Sequence, residues 1–268
     1  MGMYKRIPEN TFKQLQMDAG VICSSFNPET GVVVVSDIIG ATTGGVQIDA
    51  TPSYSDLGED VDNCPNNMLE LKKLESWECK ISGTYLTTSA SMMKNLLGSA
   101  EIDGSHISLK NKLSKEDFKT IWFVGDYGDN GCLAVKLSNA LNTSGLSLKT
   151  EKDNKGQFSF EYLGHYSMEN QTKVPLDIYI KDEVTMFNVN YTLENVSKVI
   201  GAEEVAQNGD LLAQFKANSS YSLPASVSVK IGGEEAKISD YDWNNSSGVL
   251  YVKSSATTGN IEVSVIAA

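Results

Sequence analysis

The sequence predicts a mainly β protein: a β-sandwich or partly closed barrel with one flanking helix, followed by a small second β-sandwich. Three observations support this fold class. Apolar and polar residues alternate along many short runs, as in strands with one buried face. One segment near residues 89–97 spaces its apolar side chains as a helix does. The composition changes after residue 183, where charged residues become rarer and Ser, Asn and Val more frequent.

The clearest strand and helix occupy residues 76–100. Residues alternate from Trp77 to Thr87, which predicts a strand with one solvated face. A helix should then begin at a Ser or Thr cap within Thr88–Ser91 and stop at Gly98. Its apolar side chains share one side, and core packing is their simplest role: Met92, Met93, Leu96 and Leu97.

Further strands are predicted on both sides of this unit. Val32–Val35 is β-branched throughout and predicts a strand buried on both faces. The runs 120–124 and 131–141 should pair as a hairpin through the loop GDYGDN. Ser114 and Asp117 have the spacing of a capping box, which predicts one helical turn. Other predicted strands fall within residues 11–23, 146–152, 156–165 and 174–180.

Two domains are expected, residues 1–183 and residues 184–268, with the boundary at Lys181–Glu183. In the second, the run 226–231 alternates, turns at Gly232 and Gly233, and returns. Further strands are predicted at 249–252 and 261–266. Short strands at regular spacing, separated by Gly and Asn turns, predict a small Ig-like β-sandwich.

The segment 42–67 is rich in Gly, Ser, Thr, Asp and Pro, and we expect it to lack structure of its own. Compact domains rarely keep such a long loop unless it is functional or orders on a partner. It carries four carboxylates within seven positions: Asp56, Glu59, Asp60 and Asp62. Two hypotheses remain open, a solvated acidic segment or an arm that docks on a neighbouring copy. By charge alone, the receiving patch would comprise Lys72, Lys73 and Lys80.

The sequence offers little for catalysis or cofactor binding. The two histidines, His106 and His165, have no partner at metal-ligand spacing, and the four cysteines form no C-x-x-C pair. No nucleophile elbow, phosphate-binding loop or dinucleotide fingerprint occurs. No apolar run approaches the length of a membrane span. We therefore expect no enzymatic activity, no metal, no cofactor and no membrane partner.

The chain is acidic, with a formal net charge of −12. Proteins that bind nucleic acid tightly do so with clustered Lys and Arg, which release counterions. We therefore expect no tight grip on DNA. An acidic wall around DNA would leave the polyanion mobile.

Two long runs resemble the major tail proteins, or tail tube proteins, of long-tailed bacteriophages. They are residues 56–103, DLGEDVDNCPNNMLELKKLESWECKISGTYLTTSASMMKNLLGSAEID, and residues 117–167, DFKTIWFVGDYGDNGCLAVKLSNALNTSGLSLKTEKDNKGQFSFEYLGHYS, followed by VPLDIYI. Together they cover most of residues 11–181. Residues 221–233 and 248–268 are similar, more loosely, to Ig-like modules of phage tail and bacterial surface proteins.

The resemblance implies a structural virion protein with the tail tube fold. Six copies would form a ring, and stacked rings would form a tube through which DNA passes to the host cell without tight binding. The implied partners are sister subunits and the tape measure, tail terminator and tail tip proteins. The implied location is the tail of the virion, of the non-contractile type, after assembly in the host cytoplasm.

A second hypothesis from another class is an Ig-like surface or adhesion module that binds host-cell glycans. Residues 184–268 would then make weak contact with the host surface. Aromatic side chains stack on sugars, and this region holds four that are candidates: Tyr221, Tyr241, Trp243 and Tyr251. Such side chains more often belong to a core.

Overall fold

The computed structural model describes residues 15–149 and 155–267. It is 54% strand and 9% helix, which confirms the prediction of a mainly β fold with one flanking α-helix. The sheets form sandwich-like layers, and none of those described closes into a barrel.

The first part of the chain contributes eleven strands and the helix α1 to the described structure. The strands are β1 (Gln16–Cys23), β2 (Ile38–Gly40), β3 (Thr42–Asp56), β4 (Lys72–Tyr85), β5 (Ala100–Asp103), β6 (His106–Leu109), β7 (Lys119–Tyr127), β8 (Gly131–Asn142), β9 (Ser147–Lys149), β10 (Gln157–Gly164) and β11 (Leu176–Lys181). Helix α1 is Ala90–Leu97, and Val35–Asp37, Leu69–Leu71 and Lys115–Asp117 are 3-10 turns.

Nine of these strands form one antiparallel sheet in the order β2-β1-β7-β8-β10-β4-β3. Strand β11 pairs with β8 and β9 pairs with β10, off this path. Strands β5 and β6 form a separate hairpin. Strand β3 therefore lies at one edge of the main sheet, paired with β4 alone among the described residues.

Helix α1 confirms the predicted cap and stop. The Ser89 side chain accepts a hydrogen bond from the Met92 backbone N–H, and Gly98 takes a φ of 69°. Met92 and Leu96 are fully buried in the main core, with Ile81, Phe160 and other residues of the sheet. Burial of such side chains contributes about 1.5–3 kcal/mol each, so packing fixes the helix on this face of the sheet.

The prediction of a buried strand at Val32–Val35 was wrong. Val32 makes an isolated bridge to Asn27, and Val35 begins a 3-10 turn with 45% of its surface exposed. The Val35 backbone N–H donates to the Asp210 carboxylate at 3.2 and 3.3 Å. The Asp210 carboxylate thus provides the hydrogen-bond acceptor that a neighbouring strand would otherwise provide for the Val35 N–H.

The second part of the chain contributes nine strands, all after residue 185. They are β12 (Met186–Glu194), β13 (Val196–Ile200), β14 (Glu204–Ala206), β15 (Leu211–Ala217), β16 (Ser228–Ile231), β17 (Glu234–Glu235), β18 (Tyr241–Asn244), β19 (Val249–Val252) and β20 (Ile261–Ile266). They form a five-stranded sheet, β14-β12-β20-β16-β17, and a four-stranded sheet, β13-β15-β19-β18. Both contribute to one apolar core that includes Val189, Phe215, Leu250 and Val263.

The two parts meet at a small apolar cluster on the other face of the main sheet. Val184 lies in this cluster with Cys23 and Trp122, and Ala206 packs against it. The Val184 backbone N–H donates to the Asn130 carbonyl oxygen at 2.7 Å. The sheets divide along the chain near the predicted boundary, while the assignment of two domains stays a prediction.

Asn142 joins the helix to the sheet and provides a test of the packing. Its buried amide nitrogen donates to the carbonyl oxygens of Leu96 (2.6 Å) and Gly145 (3.1 Å), and its oxygen accepts from the Glu161 backbone N–H (2.7 Å). Asn142→Ala leaves these buried groups without partners, so we expect the free energy of unfolding to fall by about 2–4 kcal/mol.

Denaturant unfolding followed by circular dichroism measures this loss. Ser144→Ala is the matched control, because it removes one hydrogen bond to the same side chain and should cost no more than about 1 kcal/mol. Equal midpoints for Asn142→Ala and the wild-type chain would contradict the role given to Asn142.

Candidate assembly surface

The long hairpin formed by β3 and β4 is the most extended feature of the described structure. Its strands pair from Thr42↔Tyr85 to Asp56↔Lys72. The prediction that residues 42–67 lack structure was therefore wrong for residues 42–56. We assumed that a polar segment cannot become ordered without burial. Backbone hydrogen bonds to β4 order this segment although most of its side chains are polar.

The distal half of this hairpin extends beyond the main sheet. Strand β10 pairs with β4 only from Lys80 to Tyr85, so in the described structure residues 72–79 pair with β3 alone. The Trp77 backbone N–H donates a hydrogen bond to the Tyr166 hydroxyl oxygen at 2.9 Å. A two-stranded ribbon is only marginally stable in water by itself. Burial within the described residues therefore stabilises this half less than the half that belongs to the main sheet.

The ribbon and its tip (residues 57–71) expose large apolar side chains. Their exposed fractions range from 39% for Met68 to 86% for Leu69. The six residues are Tyr54, Leu57, Val61, Met68, Leu69 and Leu74. Single exposed apolar residues are common, but a concentration of six on one projecting element is typical of an interaction site.

The tip has a defined conformation, although it is exposed. The Asp56 carboxylate accepts backbone hydrogen bonds from Asn67 (2.7 Å) and Gly58 (3.0 Å). These bonds hold the pKa of Asp56 below its usual value, and the bond from Asn67 has the largest effect. The positive charge of nearby Lys72 lowers the pKa further. Gly58 is buried against Cys64 and Leu71, and a Cβ at Gly58 would lie 2.8 Å from an atom of each.

Three of the four predicted docking residues lie on this tip with their side chains in solvent. Glu59, Asp60 and Asp62 are exposed and take part in no ion pair within the part of the chain described. Asp56 differs, because it is the last residue of β3 and organises the tip. The structure brings the four carboxylates together at one end of the hairpin. Docking on a neighbouring copy stays a prediction.

The predicted receiving lysines lie on the same hairpin as the carboxylates. Lys72 stands opposite Asp56 and donates to the Asn67 side chain at 3.2 Å. Lys73 pairs with Glu75 at 3.0 Å. Lys80 lies farther along β4. All three have partners within their own chain, and their service as a receiving patch stays a prediction.

The solvated face of the sheet beside the hairpin is polar and carries excess negative charge. Lys80 stands opposite Asp49 of β3, and its ammonium nitrogen lies 3.6 Å from the Glu78 carboxylate and 3.9 Å from that of Glu161 on β10. One ammonium group thus lies among three carboxylates. This face can border a polyanion without binding it tightly.

The four aromatic residues proposed for sugar binding do not share one site. Tyr241 and Trp243 pack against the second core, and they donate to the carbonyl oxygens of Val227 (3.2 Å) and Pro224 (3.0 Å). Tyr251 is paired with Asp242, so it lies on the opposite face of that sheet. Tyr221 is 45% exposed and borders a separate cleft with Lys216.

The described residues contain no cluster of three His, Cys, Asp or Glu side chains arranged to hold a metal ion. None of their helices combines the length and the hydropathy that a membrane crossing requires. Burial raises the pKa of the Cys23 thiol to about 12, so this sulfur is a poor nucleophile.

Comparison with known proteins yields a distant structural likeness. No family model matches the chain, and no curated protein matches it. A solved structure described as "Virion of native gene transfer agent (GTA) particle" aligns with a TM-score of 0.33 at 9% identity. The alignment covers 61% of this chain and 95% of that chain. At this TM-score the likeness supports no argument about fold or function.

The role of Asp56 provides a test of the tip. Asp56→Ala removes the acceptor of two backbone hydrogen bonds, so amide exchange in residues 57–67 should accelerate severalfold at neutral pH. The pKa of Asp56 is lowered by folding, so its contribution is complete above the unfolded value of about 3.9 and is lost as pH falls towards the folded value.

Hydrogen–deuterium exchange with mass spectrometry measures both effects. Asp60→Ala is the matched control, because this carboxylate has no hydrogen bond in the described structure. Equal exchange rates in the tip of Asp56→Ala, Asp60→Ala and the wild-type chain would show that the Asp56 carboxylate does not hold the loop.

Proposed function

We propose that this protein is the structural subunit of a phage-like tail tube. Six copies form a ring, rings stack into a tube, and DNA passes through the lumen. The subunit works by self-association and does not act as a catalyst in this role. The sequence resemblance described above supports this proposal independently of the structure.

The distal half of the long hairpin is the observation that carries the proposal. This two-stranded ribbon and its tip expose six apolar side chains, and no further strand of the described residues covers the ribbon. Identical subunits that present such an element to one another can form rings and stacks through heterologous contacts. Assembly would bury the apolar side chains and stabilise the ribbon.

The free edge of β3 favours a specific, limited strand contact. Irregular pairing at Thr43/Val46 and at Ser53/Tyr54 interrupts the strand, and Pro52 lacks a backbone N–H. Such features discourage indiscriminate edge-to-edge pairing. Only residues 46–51 offer a regular edge to a sister strand. Side-chain contacts must therefore supply most of the interface.

The polar face of the sheet is our candidate for the wall of the lumen. Asp49, Glu78 and Glu161 outnumber Lys80 there, so a duplex would meet a hydrated, weakly repulsive surface. Low affinity suits a conduit, because DNA must leave as easily as it enters. The further partners are the tape measure, tail terminator and tail tip proteins, and the location is the virion tail.

Assembly can be tested by making the ribbon polar. Leu69→Asp places a carboxylate at the most exposed apolar position of the tip, where the side chain is 86% exposed. Since no described part of the chain covers Leu69, we expect the monomer to keep its thermal stability. We expect assembly to require at least about tenfold more protein, the effect of burying a charge in an apolar contact.

Sedimentation velocity and negative-stain microscopy over a concentration series measure assembly, with the tail tip complex added if the free chain stays monomeric. Ile238→Asp is the matched control, because Ile238 is 87% exposed and lies far along the chain. Tubes formed by Leu69→Asp at the wild-type concentration would contradict the proposed role of the hairpin. A wild-type chain that never assembles would contradict the function itself.

A further inference from the structure

The charge of the hairpin tip defines the surface that can receive it. Residues 14–71 contain no Lys or Arg, and they contain nine carboxylates. These are Asp18, Glu29, Asp37, Asp49, Asp56, Glu59, Asp60, Asp62 and Glu70. A partner surface must therefore be apolar enough to cover Leu57 and Leu69 and must also supply positive charge around them.

One surface of the same chain has this composition. Four lysines and two carboxylates, Glu116 and Asp117, fall within the ten positions 110–119, an excess of two positive charges. Leu109 and Leu113 beside them are 73% and 49% exposed. We define the basic surface as Leu109, Lys112, Leu113, Lys115 and Lys119, all of which are exposed. The lysines of the hairpin itself are less suitable, because they are interspersed with Glu70, Glu75 and Glu78.

A buried carboxylate fixes the loop that carries these lysines. Asp117 is 7% exposed and accepts hydrogen bonds from the Lys110 ammonium (2.8 Å) and the Ser114 backbone N–H (2.8 Å). These bonds lower the pKa of Asp117 to about 2, and the bond from Lys110 has the largest effect. Lys110 is thereby committed to its own chain, and Lys115 pairs with Glu169 at 2.8 Å. Lys112 and Lys119 have no partner within the described residues.

The pairing of the strands places Lys119, at one end of the basic surface, well back from the tip. Lys119 stands opposite Ala140, Ala140 stands opposite Gly164, and the next pair is Leu163↔Lys80. Lys119 is therefore nearly level with Lys80, eight residues along β4 from Lys72. At about 3.3 Å per residue the separation along the strand is about 26 Å. The tip of a chain therefore does not reach its own Lys119, and a second copy can provide it.

We infer that the hairpin tip of one subunit docks on the basic surface of another, with Lys112 and Lys119 facing the carboxylates of Glu59, Asp60 and Asp62. This inference rests on the proposed tube and names its inter-subunit contact. Tip and receiver lie at different levels of the molecule, so the contact is head-to-tail. A head-to-tail contact repeats without limit when its rotation does not close, as a stack of rings requires.

A charge swap tests the inference in the full chain. Lys112→Glu/Lys119→Glu and, separately, Asp60→Lys/Asp62→Lys should each raise the assembly concentration at least about tenfold, because like charges then face one another. A chain that carries all four substitutions should assemble within about threefold of wild type. The control pair Lys230→Glu/Lys237→Glu lies in the second part of the chain and should change nothing.

Disulfide trapping locates the contact. Asp60→Cys and Lys112→Cys are placed in separate Cys64→Ser chains, and the two proteins are mixed, assembled and oxidised. A cross-link between the two chains supports the inference, and Asp60→Cys with Lys237→Cys is the negative control. Wild-type assembly with no cross-link and no effect of Lys112→Glu/Lys119→Glu overturns the docking inference and leaves the tube proposal standing. A wild-type chain that fails to assemble overturns both.

Discussion

Backbone pairing between β3 and β4 is the constraint on which the rest of this structure depends. The pairing continues from Thr42↔Tyr85 to Asp56↔Lys72, long after β10 has ended opposite Lys80. The near half of the hairpin is part of a nine-stranded sheet and shares its core, whereas the far half has only its two strands within the described residues. Because a two-stranded ribbon gains little from burial, the apolar side chains on its far half and tip are exposed in the free subunit. In the proposed tube, the same hairpin would link the stability of the subunit to its association.

In the proposed tube, charge would give the association its direction. The hairpin tip belongs to a stretch of 58 positions, residues 14–71, without one basic residue, and the lysines of residues 110–119 come after the helix. Opposite charges at different levels of one molecule favour contact between unlike surfaces over contact between like ones. Acidic excess on the polar face of the sheet would have a separate effect in the proposed tube, because it would weaken any binding of a polyanion. Together these features fit the proposal of a subunit that attracts its sisters and does not bind the DNA that passes between them.

The sequence predicted the elements whose signals are local. Ser89 and Gly98 bounded the helix correctly, and the GDYGDN loop joined β7 to β8 as expected. Strand β3 was missed because Gly, Ser, Thr, Asp and Pro dominate it, and its core-facing apolar residues are few, chiefly Val46 and Ile48. Its Thr, Val, Ile and Tyr residues were the available signal, but a strand held by its partner lacks the apolar period that reveals a buried one. The valine run 32–35 gave a wrong prediction because its residues are apolar and β-branched, yet the chain turns there and forms no strand. Lys72 and Lys73 were chosen by charge alone, and only strand register shows that they share a hairpin with the carboxylates.

Hydrogen–deuterium exchange of the wild-type chain, compared between dilute monomer and assembled material, tests the central claim most directly. If sister molecules complete the ribbon, amides of residues 46–79 should become protected on assembly, while those of β15 and β19 in the second core should exchange unchanged. Protection confined to residues 186–266, with the hairpin exchanging as fast as in the monomer, would show that the subunits associate through another surface and would contradict the account.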